Sequence, residues 1–171
     1  MASEALHDSG DSACSPALAP VALIVVAVAW LLQWLFPVEV LSALERINDV
    51  DPIWPGLAGG ILAAGGLSLS FAGWLSMKRH LGDMEPWRVG SVLVTDGAYA
   101  WTRNPCYLGL WMALTGTGLA FALDWLLIMT IPASVLISLL VVRHEEFVLE
   151  QNFGRSYLDY KHHVPRYLFI R

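Results

Sequence analysis

Charge is scarce in this sequence of 171 residues. Asp, Glu, Lys and Arg make up 15% of it and hydrophobic residues 56%, where an ordinary soluble domain carries about 25% charge. That excludes a water-dissolved globule. The length allows one compact unit and leaves no room for a separate soluble domain of ordinary size. A basic excess is also missing: the net charge is −5 at pH 7, so there is no cationic face to displace the counterions of a nucleic acid. Cysteine is limited to Cys14 and Cys106, too few for a disulfide framework or a metal set. The glycine-rich dinucleotide fingerprint is absent, as is any strand-helix-strand alternation to host it. Residues 1–15 contain no Lys or Arg, which argues against the positive start of a cleaved signal peptide.

Apolar length is what the chain has. A bilayer core of about 30 Å takes roughly 20 apolar residues as a helix, because no backbone group there can stay unpaired. The stretches 17–36 and 53–77 meet this alone, while Cys106 to Val142 is too long for one span and is broken at Asp124. Four spans are expected, at about 17–36, 53–77, 106–122 and 125–142, forming a single membrane domain over 17–171 behind a polar segment 1–16. Pro132 falls in the fourth, and the pairs Gly59-Gly60 and Gly65-Gly66 would let another helix approach closely.

The distribution of positive charge gives sidedness. Of ten Lys and Arg residues, four (Lys78, Arg79, Arg88, Arg103) lie between the second and third spans and five (Arg143, Arg155, Lys161, Arg166, Arg171) follow the fourth. With four spans both regions share one face, which the positive-inside rule makes cytoplasmic. The acidic loop 37–52 is then outside.

Residues 78–104 are long for a connector, and such segments are usually functional or disordered. Ser91-Val92-Leu93-Val94-Thr95 reads as an extended apolar piece and Asp96-Gly97 as a turn. Asn104-Pro105 is a helix start: Asn suits the capping position, and Pro the first helical one because its missing N–H would be unpaired anyway. The free N–H groups there make an anion site beside Tyr99, Trp101 and Tyr107; an interfacial aromatic belt accounts for the same rings. Cys106 fits either a reactive thiol at that helix start or a small packing residue.

After the fourth span come Glu145 and Glu146. Acids at a helix C-terminus oppose its dipole unless the helix continues or a positive group is bound. Both possibilities stand. Leu149 with Phe153 and Tyr157 with Tyr160, spaced helically around Gly154, predict one or two amphipathic helices over 144–163 on the cytoplasmic face. His80, His144, His162 and His163 make no ligand spacing with cysteine, and no metal is expected.

The run Arg103-Asn104-Pro105-Cys106-Tyr107-Leu108-Gly109, with the preceding Leu93 to Thr102, resembles the segment around the Arg-His-Pro-x-Tyr-x-Gly motif of the isoprenylcysteine carboxyl methyltransferase family. These are integral membrane enzymes related to the phospholipid methyltransferases. Glu145, Glu146, Leu149, Phe153, Gly154, Tyr157, Tyr160, Val164 and Pro165 match the same family's tail pattern. The resemblance covers roughly 77–169. It implies an all-α integral membrane protein with four transmembrane helices, in which a cytoplasmic loop and C-terminal amphipathic helices form a pocket for S-adenosyl-L-methionine. A lipophilic small-molecule or lipid-modified acceptor would enter from the membrane lipid. Carried over by position, the cofactor pocket involves Ser91, Val92, Leu93, Val94, Tyr99, Asn104, Pro105, Cys106, Tyr107 and Glu145, with Arg143 and Glu146 on the catalytic or acceptor side. Asn104 replaces the family's histidine and cannot titrate.

The physics is compatible with that implication. Carboxylates can pair with a sulfonium or ammonium, and tyrosine rings can face a cation. Methyl transfer is a direct displacement in which alignment and exclusion of water supply much of the rate. Two alternatives stand beside it: an NADPH-dependent membrane reductase of the sterol type, whose tail has similar Phe-Gly, Tyr and Val-Pro elements, and a non-catalytic scaffold or transporter. The spans lack the intramembrane charge that marks ion and substrate pathways. Four spans in a short chain resemble the smaller prokaryotic members, so a bacterial inner membrane is expected rather than the endoplasmic reticulum.

Overall fold

A computed structural model describes residues 18–81 and 92–168; the segment 1–16 and Ser91 lie outside them. All regular elements among the described residues are helical. The first, α1 (Leu18–Leu35), leads through α2 (Val40–Ile47) to the long α3 (Ile53–Leu81). A 3-10 turn (Gly97–Ala100) precedes α4 (Pro105–Ala120), which folds back into α5 (Asp124–Ile137).

Glycine spacing determines how α3 meets α4. Gly59, Gly66 and Gly73 recur every seven residues, two helical turns, and so share one face; Gly109 and Gly116 do the same on α4. A Cβ at Gly66 would strike the Gly109 carbonyl and the Ala113 amide, and one at Gly116 the Ala63 amide and the Gly59 carbonyl. The two backbones therefore lie in direct contact, an approach that only small residues permit. Gly60 has nothing within 4 Å. The glycine pairs noted in the sequence thus split, with Gly59 and Gly66 serving the contact inside the chain.

On the other side of α4, Leu114 packs with Ala29 of α1 and Leu126 of α5 in a buried cluster. The region 37–52, expected as a plain loop, contains α2. Eight residues rarely hold a helix in water; here the N-terminal end and the chain leading into it are tied to α5. Asp124 Oδ1 accepts from the Leu41 amide at 3.0 Å, and Trp125 Nε1 donates to the Phe36 carbonyl at 2.7 Å.

The chain does not break at Val142. A π-helical turn (Ser138–Val142) passes directly into α6 (Arg143–Phe153). Glu145 and Glu146 thus sit inside a continuing helix, and the dipole conflict does not arise. The stop comes at Gly154, with φ 50° and ψ −120°, a conformation open to glycine, and α7 (Arg155–His163) sets off in a new direction.

Large apolar side chains remain uncovered along the outside: Leu57, Ile61, Leu67 and Phe71 of α3, and Ile131, Val135 and Leu136 of α5 continuing to Leu140. Contiguous apolar surface on this scale marks contact with lipid rather than water. The segments Ile53–His80 and Asp124–Phe153 are long and apolar enough to cross a membrane, and Ala22–Leu35 is a shorter apolar helix.

Candidate active site

The site lies where the segment ahead of α4 meets α6 and the chain's tail. Val94 and Tyr99 are buried, and Val92 and Leu93 half-buried. The 3-10 turn carrying Tyr99 is held from two sides. Gly97, at φ 58°, lies so close to Ser76 of α3 that a Cβ would meet its hydroxyl, and the Tyr160 hydroxyl of α7 donates to the Tyr99 carbonyl at 2.7 Å.

The next residues dock onto the tail. Thr102 is fully buried and its hydroxyl donates to the Arg166 carbonyl at 2.8 Å, while the Arg103 amide donates to the Pro165 carbonyl at 3.0 Å. Asn104 and Pro105 occupy the cap and first-turn positions expected of them, but the Asn104 side chain makes no cap bond. The Arg166 carbonyl, brought in by the docked tail, takes the Asn104 Nδ2–H instead, at 3.4 Å. Pro105 and Cys106 face α3 at Gly73, where a Cβ would touch both. Tyr107 points the other way, and its hydroxyl donates to Glu145 Oε1 at 3.1 Å.

Successive helical residues diverge by about 100°, so the two buried carboxylates go to different partners. Glu146 takes charge from both sides: Arg103 Nη1 lies 3.2 Å from Oε1, and Arg166 donates through Nε at 3.0 Å and through Nη2. The Arg103 contact is an ion pair by distance without hydrogen-bond alignment, and Arg103 Nε has no acceptor among the described residues. Glu145, by contrast, pairs with no cation among the described residues; its hydrogen bond comes from Tyr107.

Burial, followed by the charge of Glu145, pushes the Tyr99 phenol above its ordinary range. Burial and then Glu146 raise Tyr157 to about 12, and burial again leads for Tyr160 and Tyr167. Hydrogen bonding to Glu146 holds Arg166 still more firmly charged. All these phenols stay protonated at neutral pH.

Of the residues read from the sequence, Tyr99, Asn104, Tyr107, Glu145 and Glu146 come together in or beside one cluster. Pro105 and Cys106 pack behind it, Ser91 is outside the described residues, and Arg143 is exposed and outside the cluster. Sequence reasoning missed Arg103, Arg166, Thr102, Tyr157 and Tyr160 as partners. Arg103 opens one named motif and Arg166 directly follows the other, and those places were the available signal.

Among the described residues, then, Glu145 is a buried carboxyl without a cation, bonded by Tyr107 in a helical bundle whose outside is apolar. The family model described as phospholipid methyltransferase matches residues 56–156, more than half of the 171 residues, and the chain belongs to that methyltransferase family. The match runs from α3 to the start of α7 and takes in the Asn104-Pro105 motif and the tail pattern as far as Gly154. One relative, a protein-S-isoprenylcysteine O-methyltransferase of Xenopus laevis, is 37% identical over 73 residues, which span 43% of this chain and 25% of that protein.

Proposed function

We propose that the protein transfers a methyl group from S-adenosyl-L-methionine to a lipophilic acceptor at the cytoplasmic face of a membrane that it crosses four times. The observation that carries this is Glu145: a buried carboxylate hydrogen-bonded by Tyr107 and without a cation among the described residues. Such a group favours a ligand bearing positive charge, and the surrounding rings of Tyr99 and Tyr107 suit a sulfonium. S-adenosylmethionine, when bound, supplies an electrophilic methyl on that sulfonium.

The chain's own part is to bind, orient and exclude water. Glu145 offers the counter-charge, Tyr107 fixes its carboxylate, and Val92, Leu93, Val94 and Tyr99 wall the pocket. Removing water strengthens these electrostatic contacts. Asn104 cannot carry a proton, which favours an acceptor that is already anionic, such as the carboxylate of a prenylated cysteine or another hydrophobic acid or thiolate. Such an acceptor forms its bond to the methyl carbon as the carbon–sulfur bond breaks toward sulfur, and no proton has to leave. No observation favours the reductase or scaffold readings.

Four spans put residues 78–104 and the tail on one face, which the positive-inside rule assigns to the cytoplasm, a bacterial inner membrane being the expected location. The α4 helix, at 16 residues, would reach about 24 Å at 1.5 Å per residue; residues 101–104 and 121–123 would lie at the two interfaces. The test is transfer of labelled methyl from S-adenosylmethionine, by protein in lipid, to a panel of prenylcysteine acids, fatty acids, lipophilic thiols and phospholipid amines. Label in an acidic or thiol acceptor supports the reading. Label in the phospholipid amines alone overturns the anionic acceptor, and label in none overturns the methyl transfer.

A further inference from the structure

The strongest arrangement that this function does not use is the buried trio Arg103, Glu146 and Arg166. Their side chains are 3%, 6% and 22% exposed, and both oxygens of Glu146 are engaged. The charge of Glu146 is therefore already matched within the protein. The three residues belong to three separate stretches of chain: the segment ahead of α4, α6, and the tail after α7. Two of these stretches, the segment ahead of α4 and the tail, are also joined by the Arg103 amide to the Pro165 carbonyl and the Thr102 hydroxyl to the Arg166 carbonyl. The trio carries one net positive charge. Glu145, next in sequence to Glu146, has no ion pair among the described residues, and burial pushes its carboxyl up to about 8.

From this we infer that Arg103, Glu146 and Arg166 act as a charge clamp that positions Glu145 for the methyl donor, Glu146 being a positioning residue that touches neither donor nor acceptor. The inference rests on the function proposed above and assigns that site's second acid. The clamp works in two ways. It fixes the rotation of α6 relative to Tyr107, so that the Glu145 carboxylate stays aimed at the pocket. Burial and with it the charge of Glu146 push the Glu145 carboxyl up to about 8, and the clamp also offsets that second charge. Removing one member of a buried pair leaves a charge uncompensated, and the disturbance reaches Glu145 through one peptide unit.

The test is calorimetric titration of S-adenosylmethionine into the full chain in detergent, beside steady-state kinetics on whichever acceptor takes label. The variants are Glu146→Gln, Arg166→Lys and Arg103→Lys, with the exposed Arg155→Ala as control. The expected result is a donor Kd raised tenfold or more in Glu146→Gln and threefold or more in Arg166→Lys, with acceptor KM within twofold and Arg155→Ala unchanged. Combining Arg103→Lys with Glu146→Gln adds little to the single change, because both open the same clamp. Unchanged donor Kd in Arg166→Lys overturns the clamp; that variant keeps its charge and decides the matter even if Glu146→Gln fails to fold. A raised acceptor KM or lowered kcat in Glu146→Gln at unchanged donor Kd overturns it too, since Glu146 would then be touching the acceptor. Failure of the unaltered protein to bind donor overturns the functional reading and the clamp with it, whereas normal binding with indifferent variants overturns the clamp alone.

Discussion

The Tyr107 hydroxyl donates to Glu145 Oε1 at 3.1 Å, across 38 positions of sequence, and so ties the first turn of α4 to the first turn of α6. Tyr107 is 1% exposed, so no water is at hand to replace the bond. Tyr107→Phe keeps the ring and removes only the donor. Leaving a buried acceptor unsatisfied costs about 1–3 kcal/mol, and the carboxylate loses its aim. The expected outcome is a donor affinity lower by about tenfold at an almost unchanged helical spectrum, read by titration calorimetry and circular dichroism.

The α3–α4 seam predicts a larger effect far from the site. Gly66→Leu would drive a side chain into the Gly109 carbonyl and the Ala113 amide, backbone atoms that cannot move aside. The two helices must separate, with loss of the packing that places Pro105 and Cys106 against α3. Gly60→Leu, pointing into open space, is expected to be neutral. Resistance to proteolysis in detergent distinguishes the two: Gly66→Leu is cut rapidly and Gly60→Leu as slowly as the parent.

Much of this architecture was readable without coordinates. The apolar runs at 17–36 and 53–77 correspond to α1 and α3, and Asn104-Pro105 marks the start of α4, because these features are local. The helices over 144–163 correspond to α6 and α7, but the unbroken passage from α5 into α6 was not readable. Arg143 to Glu146 look like the edge of a span, and only the continuous backbone through the π-helical turn shows the helix running on. The α2 helix was hidden for a related reason: it is held by Asp124 and Trp125, more than 80 residues away in sequence. The site divides similarly. Motif residues pointed to Tyr107 and Glu145, but the pairing of Arg103 and Arg166 with Glu146 depends on the tail returning over α4, which no spacing encodes.

Asn104 gives a prediction opposite to the usual one for a cap. Removing a capping Asn costs about 0.5–2 kcal/mol, yet here the side chain makes no cap bond and its 3.4 Å contact to the Arg166 carbonyl is long. Asn104→Ala is therefore expected to lower stability by less than about 1 kcal/mol. A thermal melt shifted by only a few degrees supports this, and collapse of the helical signal contradicts it.

The tyrosines set an alkaline limit on the docked tail. Tyr157 rises from 10.0 to about 12, mainly through burial, and Tyr99 and Tyr160 shift the same way. A phenol with a raised folded value keeps its proton in the folded state while the unfolded chain gives its proton up, so stability is full below pH 10 and falls above it. Unfolding midpoints should be flat in pH from 7 to 9 and decline between pH 10 and 12. Tyr157→Phe should soften that decline.

The most direct measurement is titration of S-adenosylmethionine into the purified protein and into Glu145→Gln, which preserves shape and removes the charge. The account predicts saturable binding to the first and affinity at least tenfold weaker in the second, both proteins having the same helical spectrum. Equal affinity in the two would contradict it, because the buried carboxylate opposite Tyr107 would then not be what holds the cation.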